Sequence, residues 1–89
     1  MSSNKSWVLE VDPTVYKFLA KIPRRDGERI VYVMQNLPSD PFEGDIQKMK
    51  GERNVWRRRV GSYRIHYELL TDEKVIHVFL VERRSSHTY

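Results

Sequence analysis

Three segments rich in β-branched and aromatic residues follow one another in the second half of the chain, separated by two short turns. They are Val55 to Val60, Tyr63 to Leu70 and Val75 to Glu82, with Gly61-Ser62 and Thr71-Asp72-Glu73-Lys74 between them. Runs of this length bounded by turn residues predict strands, and a link as short as Gly61-Ser62 forces its two strands to pair antiparallel. The third run is apolar at nearly every position until Glu82, the pattern of a strand buried on both faces near the centre of a sheet. A sheet of this kind must bury one face against another layer.

The first half supplies that layer. Trp7-Val8-Leu9-Glu10-Val11 reads as a short strand, and Asp12-Pro13 as a helix start, with an acidic cap followed by a proline that suits the first helical position. Val15, Phe18, Leu19 and Ile22 then recur at helical spacing and form one apolar face. Pro23 separates this helix from a second, over about Arg24 to Asn36. Its apolar face is Ile30, Val33, Met34 and Leu37, and Gly27 weakens its first turn by about 1 kcal/mol relative to alanine. So short a connection predicts an antiparallel helix hairpin. Pro38-Ser39-Asp40-Pro41 is a loop, and the stretch to Arg53 reads as irregular, with Gly44 and Gly51 at turns. The expected order is β-α-α-β-β-β: an α+β fold in which a helix hairpin covers one face of a largely antiparallel sheet. The 89 residues are one domain, 1-89, with residues 1-6 a flexible polar start.

Several function classes are disfavoured by composition. There are no cysteines, so neither a disulfide framework nor a thiolate metal site is possible, and His66, His77 and His87 lack metal-ligand spacing. No metal or organic cofactor is expected. The first residues contain no apolar signal-peptide core and no run approaches a membrane span, so a cytoplasmic location is expected. Charge is informative in its distribution. Residues 1–44 carry six Lys/Arg and six Asp/Glu, whereas residues 45–89 carry ten and six, so the whole net charge of +4 lies in the second half. A localised basic surface suits a polyanion, usually nucleic acid, although it can also be an ordinary solvated face.

The richest stretch is Trp56 to Tyr67. Strand side chains alternate between faces, so Trp56, Arg58 and Val60 share one face and Arg57 and Arg59 the other. In the next strand Ile65, Tyr67 and Leu69 form the apolar set, and Arg64, His66 and Glu68 the polar set. The Gly61-Ser62 turn makes the strands neighbours, so Arg57, Arg59 and Arg64 converge on the face away from the helices. Like charges at cross-strand distance destabilise each other, which argues for use on an anion. Guanidinium groups bind phosphate bidentately and stay charged at any working pH. The plainer alternative is a surface network in which Glu68 and Glu82 neutralise these arginines.

The run Lys48-Met49-Lys50-Gly51, followed by Trp56-Arg57-x-Arg59-Val60-Gly61-x-Tyr63-Arg64-Ile65-x-Tyr67, resembles the signature of the RelE/ParE toxin superfamily. The ending, Arg83 followed by a near-terminal Tyr89, is similar to that of RelE-type chains. The resemblance covers the chain after Ser6. It implies a RelE-like fold of the microbial-ribonuclease type and, for the RelE branch, the toxin of a type II toxin–antitoxin module. Such toxins are endoribonucleases, mRNA interferases that cleave mRNA in the ribosomal A site by attack of the ribose 2′-OH on the adjacent phosphate.

Carried over by position, Arg57, Arg59, Arg64, Arg83 and Tyr89 match catalytic residues, with Arg64 and Arg83 stabilising phosphoryl charge. Lys50 matches a contact to the RNA backbone, and Lys48, Arg53 and Arg84 join it as RNA-binding residues. His87 competes with Tyr89 for proton transfer, since histidine is the side chain that ordinarily titrates near neutrality. His66 on the arginine face and His77 in the last strand are read as structural. Arg58 departs from the family, which has an aliphatic residue there; either it snorkels from the helix face or the strand register differs. The implied partners are mRNA and the ribosome and a RelB-like antitoxin with a short acidic segment. Operator DNA is bound only through the toxin–antitoxin complex, and no membrane is involved. The alternative is a ParE-like inhibitor of DNA gyrase without hydrolytic activity, which does not require Arg83, His87 and Tyr89.

Overall fold

A computed structural model of the chain describes residues 7–51 and 53–84, and within them seven elements form. Strand β1 (Val8–Val11) leads into helix α1 (Pro13–Leu19) and helix α2 (Arg24–Asn36). Strands β2 (Ile46–Lys48), β3 (Val55–Val60), β4 (Tyr63–Leu70) and β5 (Val75–Arg83) follow. The sheet order is β1-β5-β4-β3-β2, with β1 parallel to β5 and every other pair antiparallel. The apolar β5 is thus flanked on both sides, as its composition predicts. The α+β architecture stands. The proposal of flexibility for residues 1–6 lies outside the described residues.

The predicted starts and turns form for the expected reasons. Asp12 caps α1: its Oδ1 accepts from the Thr14 backbone N–H at 2.9 Å and from the Thr14 hydroxyl at 2.7 Å. Those bonds, the side-chain one first, hold the Asp12 carboxyl below its ordinary range. Gly61 takes φ +56° in the two-residue link between β3 and β4, the glycine-first arrangement that matches strand twist.

The core is one layer between helices and sheet. Val15, Ile30, Val33, Met34 and Leu37 from the helical side meet Val60, Tyr63, Ile65, Tyr67, Leu69, Ile76, Val78 and Val81 from the sheet. Gly27 is buried in α2, where a Cβ would sit 3.5 Å from the Leu19 carbonyl oxygen and 4.0 Å from Ile22 Cγ1, ordinary contact distances. Gly27→Ala is therefore expected to stabilise the protein by about 0.5–1 kcal/mol, read as a raised urea midpoint.

Two features were not predicted. The first is β2, which lies in the stretch read as irregular and pairs Ile46, Gln47 and Lys48 with Arg58, Arg57 and Trp56. Three residues are too few for an alternation to stand out, and β2 exists because β3 offers it an unpaired edge. The second is a bulge. His66 faces Leu80 and Tyr67 faces Val78, so Phe79 is an extra residue on β5. An extra residue inverts the facing of everything beyond it. Ile76 and Val78 point to the core before the bulge and Val81 after it.

Arg58 faces the helix side, opposite Ile65, and its guanidinium lies against Gly44, where a Cβ would fall 2.4 Å from Cζ. Gly44 has φ +93°, and it is this backbone conformation that calls for glycine, since the Arg58 side chain could swing aside. Beside it Tyr67 is fully buried and its hydroxyl donates to the Pro41 carbonyl at 2.5 Å, pinning the loop before β2. Burial pushes the Tyr67 phenol up to about 12. A raised acid pKa means stability is fully present below the ordinary tyrosine value of about 10 and is lost as pH climbs toward 12. Tyr67→Phe is expected to cost about 1–2 kcal/mol at neutral pH, by orphaning the Pro41 carbonyl, and to flatten this alkaline loss. Denaturant curves at neutral and alkaline pH check both.

Candidate RNA-binding face

The face of the sheet away from the helices collects Arg57, Arg59 and Arg64, as the alternation predicts. Arg57 stands opposite His66, and Arg59 directly opposite Arg64. Together with Asp45 and Gln47 the three arginines line one small cleft. Asp45 and Gln47 come from the β2 segment and were not anticipated. Arg57 Nη2 donates to Gln47 Oε1 at 2.7 Å, and Arg59 Nε lies 3.6 Å from Asp45 Oδ2.

The third acidic contact comes from β5. Glu82 Oε2 lies 2.8 Å from His66 Nε2 and 4.0 Å from Arg64 Nη1. An ionised carboxylate can only accept, so in that state the His66 Nε2 carries the proton. His66 is buried at 8% exposure, in keeping with a structural role. Among the described residues the carboxylates that meet the arginines are Asp45 and Glu82. Glu68, the other anticipated counter-charge, stands opposite Val55 and His77.

Magnitude decides what this cluster can do. Arg59 and Asp45 are each at least half exposed at 3.6 Å, and Arg64 reaches Glu82 only at 4.0 Å. Pairs of this kind contribute about 0–1 kcal/mol each. Three guanidinium groups against two loosely held carboxylates leave a surplus of cationic hydrogen-bond donors facing solvent. Such a surface takes phosphate oxygens readily.

The remaining predicted residues are elsewhere. Arg83 stands opposite Tyr63 and its guanidinium lies 5.3 Å from that ring's centroid, so it is on the helix side of the sheet and apart from Arg64. The bulge at Phe79 is the reason: without it, Arg83 would share the open face. Tyr63 itself donates to Asp26 Oδ2 at 2.8 Å, and this bond, ahead of desolvation, raises its phenol above the ordinary value. Lys48 also falls on the other side, 6.0 Å from the Trp56 ring centroid. Arg84 Nη1 donates to the Gly61 carbonyl at 3.1 Å, at the end of the sheet. Lys50 and Arg53 are exposed in the link between β2 and β3. His87 and Tyr89 lie outside the described residues.

A larger cleft of about 500 Å³ opens between the helices, lined by Tyr16, Leu19, Val31 and Tyr32 among others. It is mostly apolar and lies on the opposite side of the molecule from the arginines. Among the described residues no helix is long and apolar enough to cross a membrane.

Residues 9–87 match the family model of the ParE toxin of the type II toxin–antitoxin system parDE. The chain belongs to this toxin family. It is a type II toxin of the RelE/ParE superfamily, and its relatives are RelE proteins. A Methanocaldococcus jannaschii protein named for the toxin RelE1 is 28% identical over 79 residues, covering 85% of this chain and 88% of that one. The RelB–RelE antitoxin–toxin complex from Methanococcus jannaschii superposes with a TM-score of 0.69 at 28% identity, over 83% of this chain and 88% of the other. The archaeal RelE–RelB complex from Pyrococcus horikoshii superposes with a TM-score of 0.80 over 93% of this chain and 100% of the other. At 23% identity, that last likeness speaks for the fold alone.

Proposed function

We propose that this toxin is an endoribonuclease that cuts mRNA, in the ribosomal A site, by attack of a ribose 2′-OH on the adjacent phosphorus. The observation that carries the reading is the arginine face, with Arg59 directly opposite Arg64 and Arg57 two residues along the same strand face. In-line attack builds negative charge on the phosphoryl oxygens, and cations already in place lower the barrier without reorganising. Arg64, the least exposed of its ion pair, is assigned to the phosphoryl group under attack, and Arg57 and Arg59 to that phosphate or its neighbour. The bond from phosphorus to the 5′-oxygen breaks, leaving a 2′,3′-cyclic phosphate and a 5′-OH. A proton must leave the 2′-OH and another must reach the departing oxygen. Tyr89 and His87 are the groups proposed for these transfers. Lys50 and Arg53, exposed in the link between β2 and β3, and Arg84 at the end of the sheet are proposed to hold the flanking backbone, and Lys48, beside Trp56 on the other side of the edge strand, to meet it where the RNA passes round that edge. The chemistry as drawn uses side chains and no metal.

Arg83 reaches a phosphate on the open face only by leaving Tyr63 and turning round the end of β5. Arg83→Ala is therefore expected to lower the cleavage rate by less than about tenfold, while Arg64→Ala lowers it far more. Single-turnover cleavage rates check the contrast.

The relatives of M. jannaschii and P. horikoshii were solved as complexes with RelB. We extend this to the present chain: a RelB-like antitoxin with a short acidic segment covers the arginine face and silences it, and the complex binds operator DNA. A toxin that acts on messages being translated works in the cytoplasm.

The family's ParE description favours one rival, inhibition of DNA gyrase without hydrolysis. The deciding experiment incubates the purified chain with mRNA, free and on ribosomes, maps new 5′ ends, and in parallel follows gyrase supercoiling. New 5′-OH ends opposite cyclic phosphates, with supercoiling untouched, are expected. Intact RNA and blocked supercoiling would sink the ribonuclease reading.

A further inference from the structure

The cationic face carries an apolar neighbour. Met49, Val55, His66 and Phe79 line a cleft of about 290 Å³ on the same side of the sheet as the arginines. These residues come from three separate segments: the end of β2, the edge of β3, and the β4–β5 pair. Phe79 keeps the open-face parity of His77, and the bulge leaves it unpaired next to Leu80, so both side chains reach this side of the sheet. The Phe79 ring lies 6.2 Å from both the His66 and His77 rings, and Leu80 beside it is 40% exposed. Apolar side chains rimmed by a charged, solvent-facing surface are an arrangement that binding sites use.

The two clefts abut. His66 lines the apolar one and stands directly opposite Arg57, which lines the cationic one. Val55 and Arg57 are two residues apart on the same face of β3, about 7 Å along the strand. That is the reach from a phosphate to the base of its own nucleotide. The volume is close to the lower limit of pockets that hold small organic ligands, room for one flat heterocycle and not for a folded peptide.

We propose that this cleft receives an unstacked base of the RNA whose phosphates lie on Arg57, Arg59 and Arg64, with Phe79 as the stacking surface. The inference rests on the reading of the arginine face as an RNA site, and adds what that reading lacks, a contact that senses the base. Every base has a π-face, so Phe79 supplies grip for single-stranded RNA. Met49 and Val55 close the walls and limit the size of the ring that fits.

The test compares the intact chain binding two uncleavable probes: a 2′-O-methyl trinucleotide, and the same backbone with every base removed. Both carry the same phosphates, so salt and charge affect them alike. The base-bearing probe is expected to bind about tenfold tighter or better, and Phe79→Ala to abolish that preference while keeping affinity for the abasic probe. Phe79→Leu, which keeps apolar bulk and removes the π-face, is expected to retain part of it. Phe79 lies outside the core cluster, and an unchanged thermal midpoint confirms that each variant is folded. Equal, tight binding of both probes by the wild-type chain overturns the base cleft and leaves the phosphate site standing. Binding of neither overturns both. A preference that survives Phe79→Ala overturns the assignment to this cleft.

Discussion

Arg64→Ala is expected to lower RNA cleavage by about 100- to 1,000-fold, the cost of removing one preorganised donor from a transition state that gathers charge. The fold should be little affected. Arg64 touches Glu82 only at 4.0 Å, and that carboxylate keeps its 2.8 Å contact with His66 when the arginine is gone. Removing one of two directly opposed guanidiniums also relieves the repulsion with Arg59. The thermal midpoint should thus stay within a few degrees of wild type, or rise. Arg64→Lys keeps the charge and loses the planar fork, so it should recover only part of the rate. Cleavage of mRNA on ribosomes, with the midpoint measured on the same preparations, checks all three statements. Wild-type cleavage by Arg64→Ala would remove this arginine from the site.

Ile76→Ala is expected to be the most damaging single truncation for stability, at about 2–5 kcal/mol. Ile76 is fully buried in β5, opposite Leu69 of β4 and Leu9 of β1, so a cavity there opens under three strands at once. In a domain of this size each kcal/mol lowers the thermal midpoint by about 4–8 °C, so a fall of 10 °C or more is expected. In urea the midpoint should drop with an unchanged slope, because the surface exposed on unfolding stays the same. Leu80→Ala, four residues along the same strand and 40% exposed, serves as the control and should cost less than 1 kcal/mol. Equal losses at the two positions would contradict the facing of β5 described above.

That facing also separates what was legible in the sequence from what was not. The alternation in Trp56 to Val60 and in Tyr63 to Leu70 suffices to put Arg57, Arg59 and Arg64 on one face, because the strand pleat is local and the Gly61-Ser62 link leaves one register open. Helical spacing likewise suffices to name Ile30, Val33, Met34 and Leu37 as the buried face of α2. The same local logic explains Arg58: it follows the parity of Trp56 and Val60 inward, and its charged end rests against Gly44.

Beyond this, tertiary pairing decides. Val75 to Val81 is apolar at every position but His77, so no alternation shows where the strand breaks step, and the extra residue at Phe79 appears only when β5 is laid against β4. That one residue sends Glu82 to the arginine face, turns Arg83 onto Tyr63 and brings Leu80 opposite His66. The counter-ion Asp45 and the amide of Gln47 are likewise invisible in advance, because β2 exists only as the partner of an edge that β3 would otherwise leave open. Which cations share a face follows from local order along the chain, since side-chain direction within a strand depends on neighbours one and two residues away. Which anions and aromatics meet them was decided by the tertiary structure, since register between strands depends on residues that are distant in the chain.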